Sequence, residues 1–119
     1  MKTAELGAAT DPAKVVLPPY YPRDPVLLRD WAAYLDAMRF TDRHVGEVIA
    51  RLEREGILDR PLVIFMSDHG MSFPFSKATV YFNGTRSPVL LRWPGMGVTQ
   101  TREEMVSSVD LMPTLLEII

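Results

Sequence analysis

Three side chains of the 119-residue sequence could share one piece of chemistry. Asp68 and His69 stand together directly after the apolar run Leu62-Val63-Ile64-Phe65-Met66 and Ser67, and Lys77 follows eight residues on. A carboxylate and a neutral imidazole at the end of a buried strand offer one oxygen and one nitrogen from a rigid support. That donor pair suits a divalent cation or an acid/base couple. Lys77 could then neutralise an anion held by the cation. Spacing alone is a weak signal, because Asp-His-Gly also arises by chance, with Asp68 capping a turn and His69 in a satisfied hydrogen bond. Charged pairs at strand ends of α/β sheets are enriched in sites, which keeps the functional reading open.

The elements that must carry these residues follow from periodicity. Between Asp30 and Glu55, the residues Trp31, Tyr34, Leu35, Met38, Val45, Val48, Ile49 and Leu52 recur at steps of three, four or seven, one stripe of a long helix. Asp30 or Asp24 could cap its start, and Gly56 supplies the left-handed position that ends helices. Leu62 to Met66 is continuously apolar, as expected of a central strand covered on both faces. Helix followed by strand predicts an α/β fold with a mostly parallel sheet and packed helices, and places Asp68 and His69 at the carboxyl end where ligands collect. Further strands are expected at Thr79 to Phe82, before an Asn83-Gly84 turn, at Val89 to Trp93, closed by Pro94-Gly95, and at Met105 to Val109. A last helix from Leu111, with Asp110 as its N-cap, is still apolar at Ile119. Residues 1–25, with prolines at 12, 18, 19, 22 and 25, read as an extended arm, and 26–119 as the α/β unit.

Composition narrows the partners. Thirteen Lys and Arg against fifteen Asp and Glu, with no long blocks of one sign, leave no electrostatic footprint for nucleic acid or a charged membrane. No apolar run approaches the roughly 18 to 20 residues that cross a bilayer, and Met1-Lys2-Thr3-Ala4-Glu5 lacks the apolar core of a signal peptide, so the chain as given is expected to be soluble and cytoplasmic. Cysteine is absent, which removes disulfides, thiolate metal sites and cysteine nucleophiles together.

Several segments in one order carry a family resemblance. Asp42-Arg43-His44-Val45-Gly46, Gly56-Ile57-Leu58-Asp59, Ser67-Asp68-His69-Gly70, Lys77, Tyr81, Asn83-Gly84-Thr85-Arg86-Ser87-Pro88, Arg92-Trp93-Pro94-Gly95 and Val106-Ser107-Ser108-Val109-Asp110-Leu111-Met112-Pro113-Thr114-Leu115-Leu116 resemble the later part of the sulfatase catalytic domain, in the alkaline phosphatase superfamily. Ser72-Phe73-Pro74-Phe75 together with Pro18-Pro19-Tyr20 looks closest to the heparan N-sulfatase-like/arylsulfatase branch. The resemblance implies a partial alkaline-phosphatase-like fold. It also implies that Asp68 ligates a calcium or magnesium ion and that Lys77 pairs with a sulfate oxygen or helps the leaving oxygen depart. His69 stands where sulfatases commonly have asparagine, and where phosphonate or phosphodiester hydrolases of the superfamily often have histidine; it would be a second ligand or touch the transferring group. Oxygen donors favour calcium, while imidazole also admits manganese or zinc.

What the resemblance requires and the chain lacks is equally informative. Sulfatases use a formylglycine made from Cys or Ser in a Cys/Ser-x-Pro-x-Arg motif, and two further aspartates; this sequence has no cysteine and no Ser-x-Pro-x-Arg. The expectation is a piece of a longer enzyme, inactive alone, whose intact form acts on a sulfate-ester or sulfamate small molecule or glycan. Uncovered faces of such a piece predict self-association. A noncatalytic α/β assembly module is the alternative. His44, Arg86, Gly46, Trp31, Trp93, Tyr20, Tyr21 and Arg23 are expected to serve structure rather than chemistry.

Overall fold

Asp24, rather than Asp30, starts the long helix. In the computed structural model, which describes residues 8–97 and 99–118, the Asp24 carboxylate accepts the backbone N–H groups of Val26 at 2.8 Å and Leu27 at 3.4 Å. Pro25 follows at the first helical position, where its missing N–H costs nothing. Helix α1 (Pro25–Arg54) then runs for 30 residues and stops at Gly56, whose φ of +66° lets the N–H of Ile57 reach back to the Leu52 carbonyl at 3.0 Å. Met1 to Glu5 and Ile119, which bear on the expectations for a leader and for the end of the last helix, lie outside the described residues.

The core gathers on the first half of α1. Trp31 and Ala32 are buried against Val15 and Tyr21, with Leu17, Leu27, Leu28, Leu35, Met71 and Phe73 packed around them. Ring contacts bind the cluster: Trp31 meets Phe73 at 4.9 Å and Tyr21 at 5.8 Å, both edge-on. The proline-rich segment is therefore part of the core, because Tyr21 buries its ring and donates its hydroxyl to the Pro74 carbonyl at 2.6 Å. Farther along α1 the apolar stripe loses its cover. Met38 and Val48 are exposed.

Thr10 ties the start of the described chain to the same helix. Its N–H donates to both carboxylate oxygens of buried Asp36, at 3.1 and 3.2 Å, and its hydroxyl donates to Oδ1 at 2.5 Å. These hydrogen bonds, hydroxyl first and amide second, hold the Asp36 carboxyl below its ordinary value of 3.8 against the opposing effect of burial, with Arg39 adding attraction. A carboxyl whose folded pKa is depressed stabilises the fold above its unfolded pKa, and that contribution disappears as pH falls through the folded value. Urea unfolding followed by Trp31 fluorescence is expected to show stability falling below about pH 4. Asp36→Asn should flatten that limb and lower stability at neutral pH.

Strand β1 (Val63–Met66) pairs with a second strand, β2 (Val89–Arg92), in a two-stranded antiparallel ladder: Val63 faces Arg92, and Met66 faces Val89. The expected mostly parallel sheet is thus represented among the described residues by one antiparallel pair. Phe65 and Met66 are exposed, so β1 is not covered on both faces as its apolar run predicts. Arg92 braces the ladder from below, donating to the Leu58 carbonyl and to Asp59 Oδ1 at 2.9 Å. Beyond Trp93 the chain turns at Gly95, with φ of +91°.

Two expected strands are absent from the described residues. Thr79 to Phe82 is loop running into the short helix α2 (Phe82–Thr85), and the Val80 side chain is 93% exposed. Local bonds win there: Thr79 N–H donates to Ser76, and Gly84 and Thr85 N–H groups to Tyr81, which satisfies the backbone without a ladder. Met105 to Val109 likewise forms no strand. Ser107 and Asp110 close a capping box, with Ser107 N–H donating to Asp110 Oδ2 at 2.9 Å, and a 3-10 turn at Ser108–Asp110 leads into α3 (Leu111–Ile118). The whole has a radius of gyration of 17.6 Å, against about 13.5 Å for a compact chain of this length.

Candidate metal and anion site

The site begins where β1 ends. Ser67 N–H donates to the Pro88 carbonyl at 3.3 Å, extending the ladder by one residue, and Ser67 Oγ donates to the His69 carbonyl at 2.7 Å, which folds the chain sharply after the strand. Asp68 projects outward with 83% of its side chain exposed, and His69 is 40% exposed. The expected pair is thus brought together, with His69 Nε2 3.3 Å from Asp68 Oδ2.

The tautomer adds a constraint. His69 Nδ1 lies 2.7 Å from the Gly70 carbonyl oxygen. A carbonyl only accepts, so Nδ1 carries the hydrogen, and in the neutral ring Nε2 turns a lone pair toward Asp68. Two acceptors facing each other at this range call for a positive charge between them: a second imidazole proton or a cation. Donors about 3.3 Å apart are also spaced as neighbouring ligands on one ion with bonds of about 2.3 Å. The pair therefore fits a divalent cation, as two ligands of the six to eight that calcium takes. Among the described residues, no group of three or more His, Asp and Glu side chains completes a cage.

Lys77 sits on the loop after His69. Its side chain is exposed, its backbone N–H donates to the Met71 carbonyl at 3.0 Å, and no ion pair joins it to Asp68 or His69 among the described residues. The loop bends on two residues with left-handed backbone, Phe75 and Ala78, each at φ of +60°.

Asp68 also borders a cleft of about 250 Å³ that the sequence reading did not single out. Ser67, Thr85, Ser87, Ser107 and Ser108 contribute to its wall, so that segments distant in the chain meet there, while His69 and Lys77 stand outside. Hydroxyls at those five positions carry no periodic signal, and only the fold collects them. The other candidates make local contacts. His44 pairs with Glu47 at 3.1 Å on the exposed face of α1, and Arg86 lies 5.1 Å over the Phe82 ring. Tyr20 accepts a hydrogen bond from Asn83 Nδ2 at 2.5 Å.

In α/β proteins a carboxylate and an imidazole at a strand end, with a lysine on the following loop, form an arrangement suited to a cation and an anionic ligand. Comparison with known proteins makes the assignment specific: the family model described as Sulfatase matches residues 3–119. The chain belongs to the sulfatase family, whose fold is of the alkaline-phosphatase-like α/β type. It is 34% identical over 107 residues to an ulvan-active sulfatase of Formosa agariphila, covering 89% of this chain and 18% of that protein. With human N-sulphoglucosamine sulphohydrolase it shares 37% over 111 residues, 92% of this chain and 22% of that one. Arylsulfatase K of Xenopus laevis matches at 38% over 96 residues, 76% and 18%. The chain thus spans about a fifth of the length of these relatives. No solved structure gives a significant match. Among the described residues no helix is long and apolar enough to cross a membrane.

Proposed function

We propose that this chain carries one part of the metal and anion site of a sulfatase-type hydrolase acting on a sulfate ester or sulfamate. The observation that carries the reading is the 3.3 Å approach of His69 Nε2 to Asp68 Oδ2, with Nδ1 already committed to the Gly70 carbonyl. Asp68 and His69 hold the cation, calcium by preference and magnesium or manganese by chemistry. A bound cation supplies Lewis-acid stabilisation of charge on the nonbridging oxygens. Lys77 adds a second positive charge for a sulfate oxygen or for the departing oxygen.

The nucleophile and the remaining ligands come from outside this sequence, which contains neither cysteine nor Ser-x-Pro-x-Arg. The formylglycine of the family would stand there, and β1 would join a mostly parallel sheet through its unpaired edge. In this reading the 119 residues are part of a longer enzyme and inactive alone. The names of two relatives, an ulvan-active sulfatase and an N-sulphoglucosamine sulphohydrolase, support a sulfate-ester or sulfamate glycan or small molecule as the substrate. His69 favours one further reading, a phosphonate or phosphodiester hydrolase of the same superfamily.

Calcium titration of the 119-residue chain by NMR tests the site. Binding should be weak, in about the millimolar range, because two donors leave most of the coordination to water. Asp68→Ala should weaken it by at least about tenfold. Equal calcium response in the two proteins would remove the cation from the proposal, and aryl sulfate turnover by the homogeneous chain would refute its inactivity.

Self-association follows from the surface. Leu90, Met105, Val106, Val109, Met112 and Leu116 are exposed, and a two-stranded ladder leaves two edges open. Light scattering is expected to give a mass above that of one 13.5 kDa chain. A monomer at all concentrations, with cooperative unfolding, would instead support an independent noncatalytic module.

A further inference from the structure

Ser76 has the one side chain among the described residues that is fully withdrawn from solvent, at 0% exposure. It nevertheless belongs to a loop, between exposed Phe75 and exposed Lys77. Its Oγ donates to the Asn83 carbonyl at 2.8 Å, and its own carbonyl accepts the Thr79 hydroxyl at 2.7 Å and the Thr79 N–H at 3.1 Å. Two glycines make the space for it. A Cβ on Gly70 would stand 2.6 Å from Ser76 Oγ, and one on Gly84 would overlap the Ser76 carbonyl oxygen. Phe75 and Ala78, on either side of the Ser76-Lys77 pair, both hold φ of +60°. Residues with side chains keep that conformation only where their surroundings over-determine it, and such strain gathers at functional positions.

We propose that Ser76 is a positioning residue for Lys77. Clasped between Gly70 and Gly84, it holds the strained turn in one shape and so fixes where Lys77 leaves the loop relative to His69, one residue before Gly70. The ammonium then meets the anion from a set position instead of searching for it. This rests on the anion-holding role proposed above for Lys77.

The test uses the full 119-residue chain in NMR, reading hydrogen exchange of the Lys77 amide and the Lys77 Cε shift during titration with sodium sulfate in the presence of calcium. In Ser76→Ala, exchange at Lys77 should accelerate on the order of tenfold, the effect of losing one hydrogen bond of ordinary net strength. The sulfate response of Lys77 should vanish while Trp31 fluorescence and the calcium response of Asp68 and His69 persist. A merely structural serine would lower overall stability and leave that sulfate response in place, which would overturn the proposal. Should Ser76→Ala fail to fold, Thr79→Val removes only the hydroxyl that grips the Ser76 carbonyl; an unchanged Lys77 there would overturn it equally. A wild-type Lys77 that ignores sulfate would instead bring down the anion role itself.

Discussion

Trp31→Ala is expected to abolish cooperative unfolding of this chain. The indole touches Tyr21, Tyr34 and Phe73, at centroid distances of 5.8, 5.4 and 4.9 Å, and joins the N-terminal segment, α1 and the loop before Lys77 through one side chain. Truncating a buried Trp costs about 3–5 kcal/mol, which approaches the whole stability of many small domains, about 5–15 kcal/mol. Among the described residues only Val15, Tyr21 and Ala32 share the buried apolar cluster with it, and none of them forms a second core that could compensate. Circular dichroism during urea titration provides the measurement, and α1 signal that fades without a sigmoid is the expected result. Met105→Ala is the control. Its side chain is 100% exposed, and stability should stay within about 0.5 kcal/mol. A cooperative transition for Trp31→Ala near the wild-type midpoint would show that the core is elsewhere.

Gly70→Ala should produce the second large effect, on the site as well as on stability. An added Cβ would overlap the Asn83 carbonyl oxygen and approach Ser76 Oγ to 2.6 Å, so the backbone must move. Overpacking of this kind costs about 1–3 kcal/mol or more. The Gly70 carbonyl is the acceptor that assigns the His69 tautomer, and displacing it frees Nδ1 and turns the ring from Asp68. Imidazole 15N shifts are expected to change from a single Nδ1–H tautomer to a mixture, and the calcium response should weaken with them. Gly46→Ala has the opposite sign. Nothing lies within 4 Å of its added Cβ, and alanine within a helix gains about 0.5–1 kcal/mol over glycine. Gly70→Ala with wild-type stability and an unaltered tautomer would contradict the close packing described here.

Legibility in the sequence follows the range of the forces involved. Helix α1 and its stop at Gly56 are written locally, in a 3.6-residue stripe, a capping aspartate and a left-handed glycine. The helix starts more than a turn before Trp31, the first member of the stripe, since Asp24 caps it and Pro25 tolerates the first turn. Strands β1 and β2 are equally plain as apolar runs bounded by turns. Thr79 to Phe82 and Met105 to Val109 also carry β-branched, aromatic or apolar residues without becoming strands. A strand needs a partner ladder, and there the Ser76, Tyr81 and Ser107 turns satisfy the backbone first.

Residue order alone determined that Asp68 and His69 stand together behind an apolar strand, that Lys77 follows on a loop, and that the family is the sulfatases, because adjacency and motif order are properties of the chain itself. Tertiary structure alone decided the direction of the β1–β2 pairing, the burial of Ser76 between two glycines, the hydroxyl-walled cleft beside Asp68, and the lone pair that His69 turns toward its neighbour. The pairing and the cleft depend on contacts between segments far apart in sequence, and the Ser76 and His69 contacts on how the loop folds back on itself; their energies exist only once the backbone has brought the groups within a few ångströms of one another.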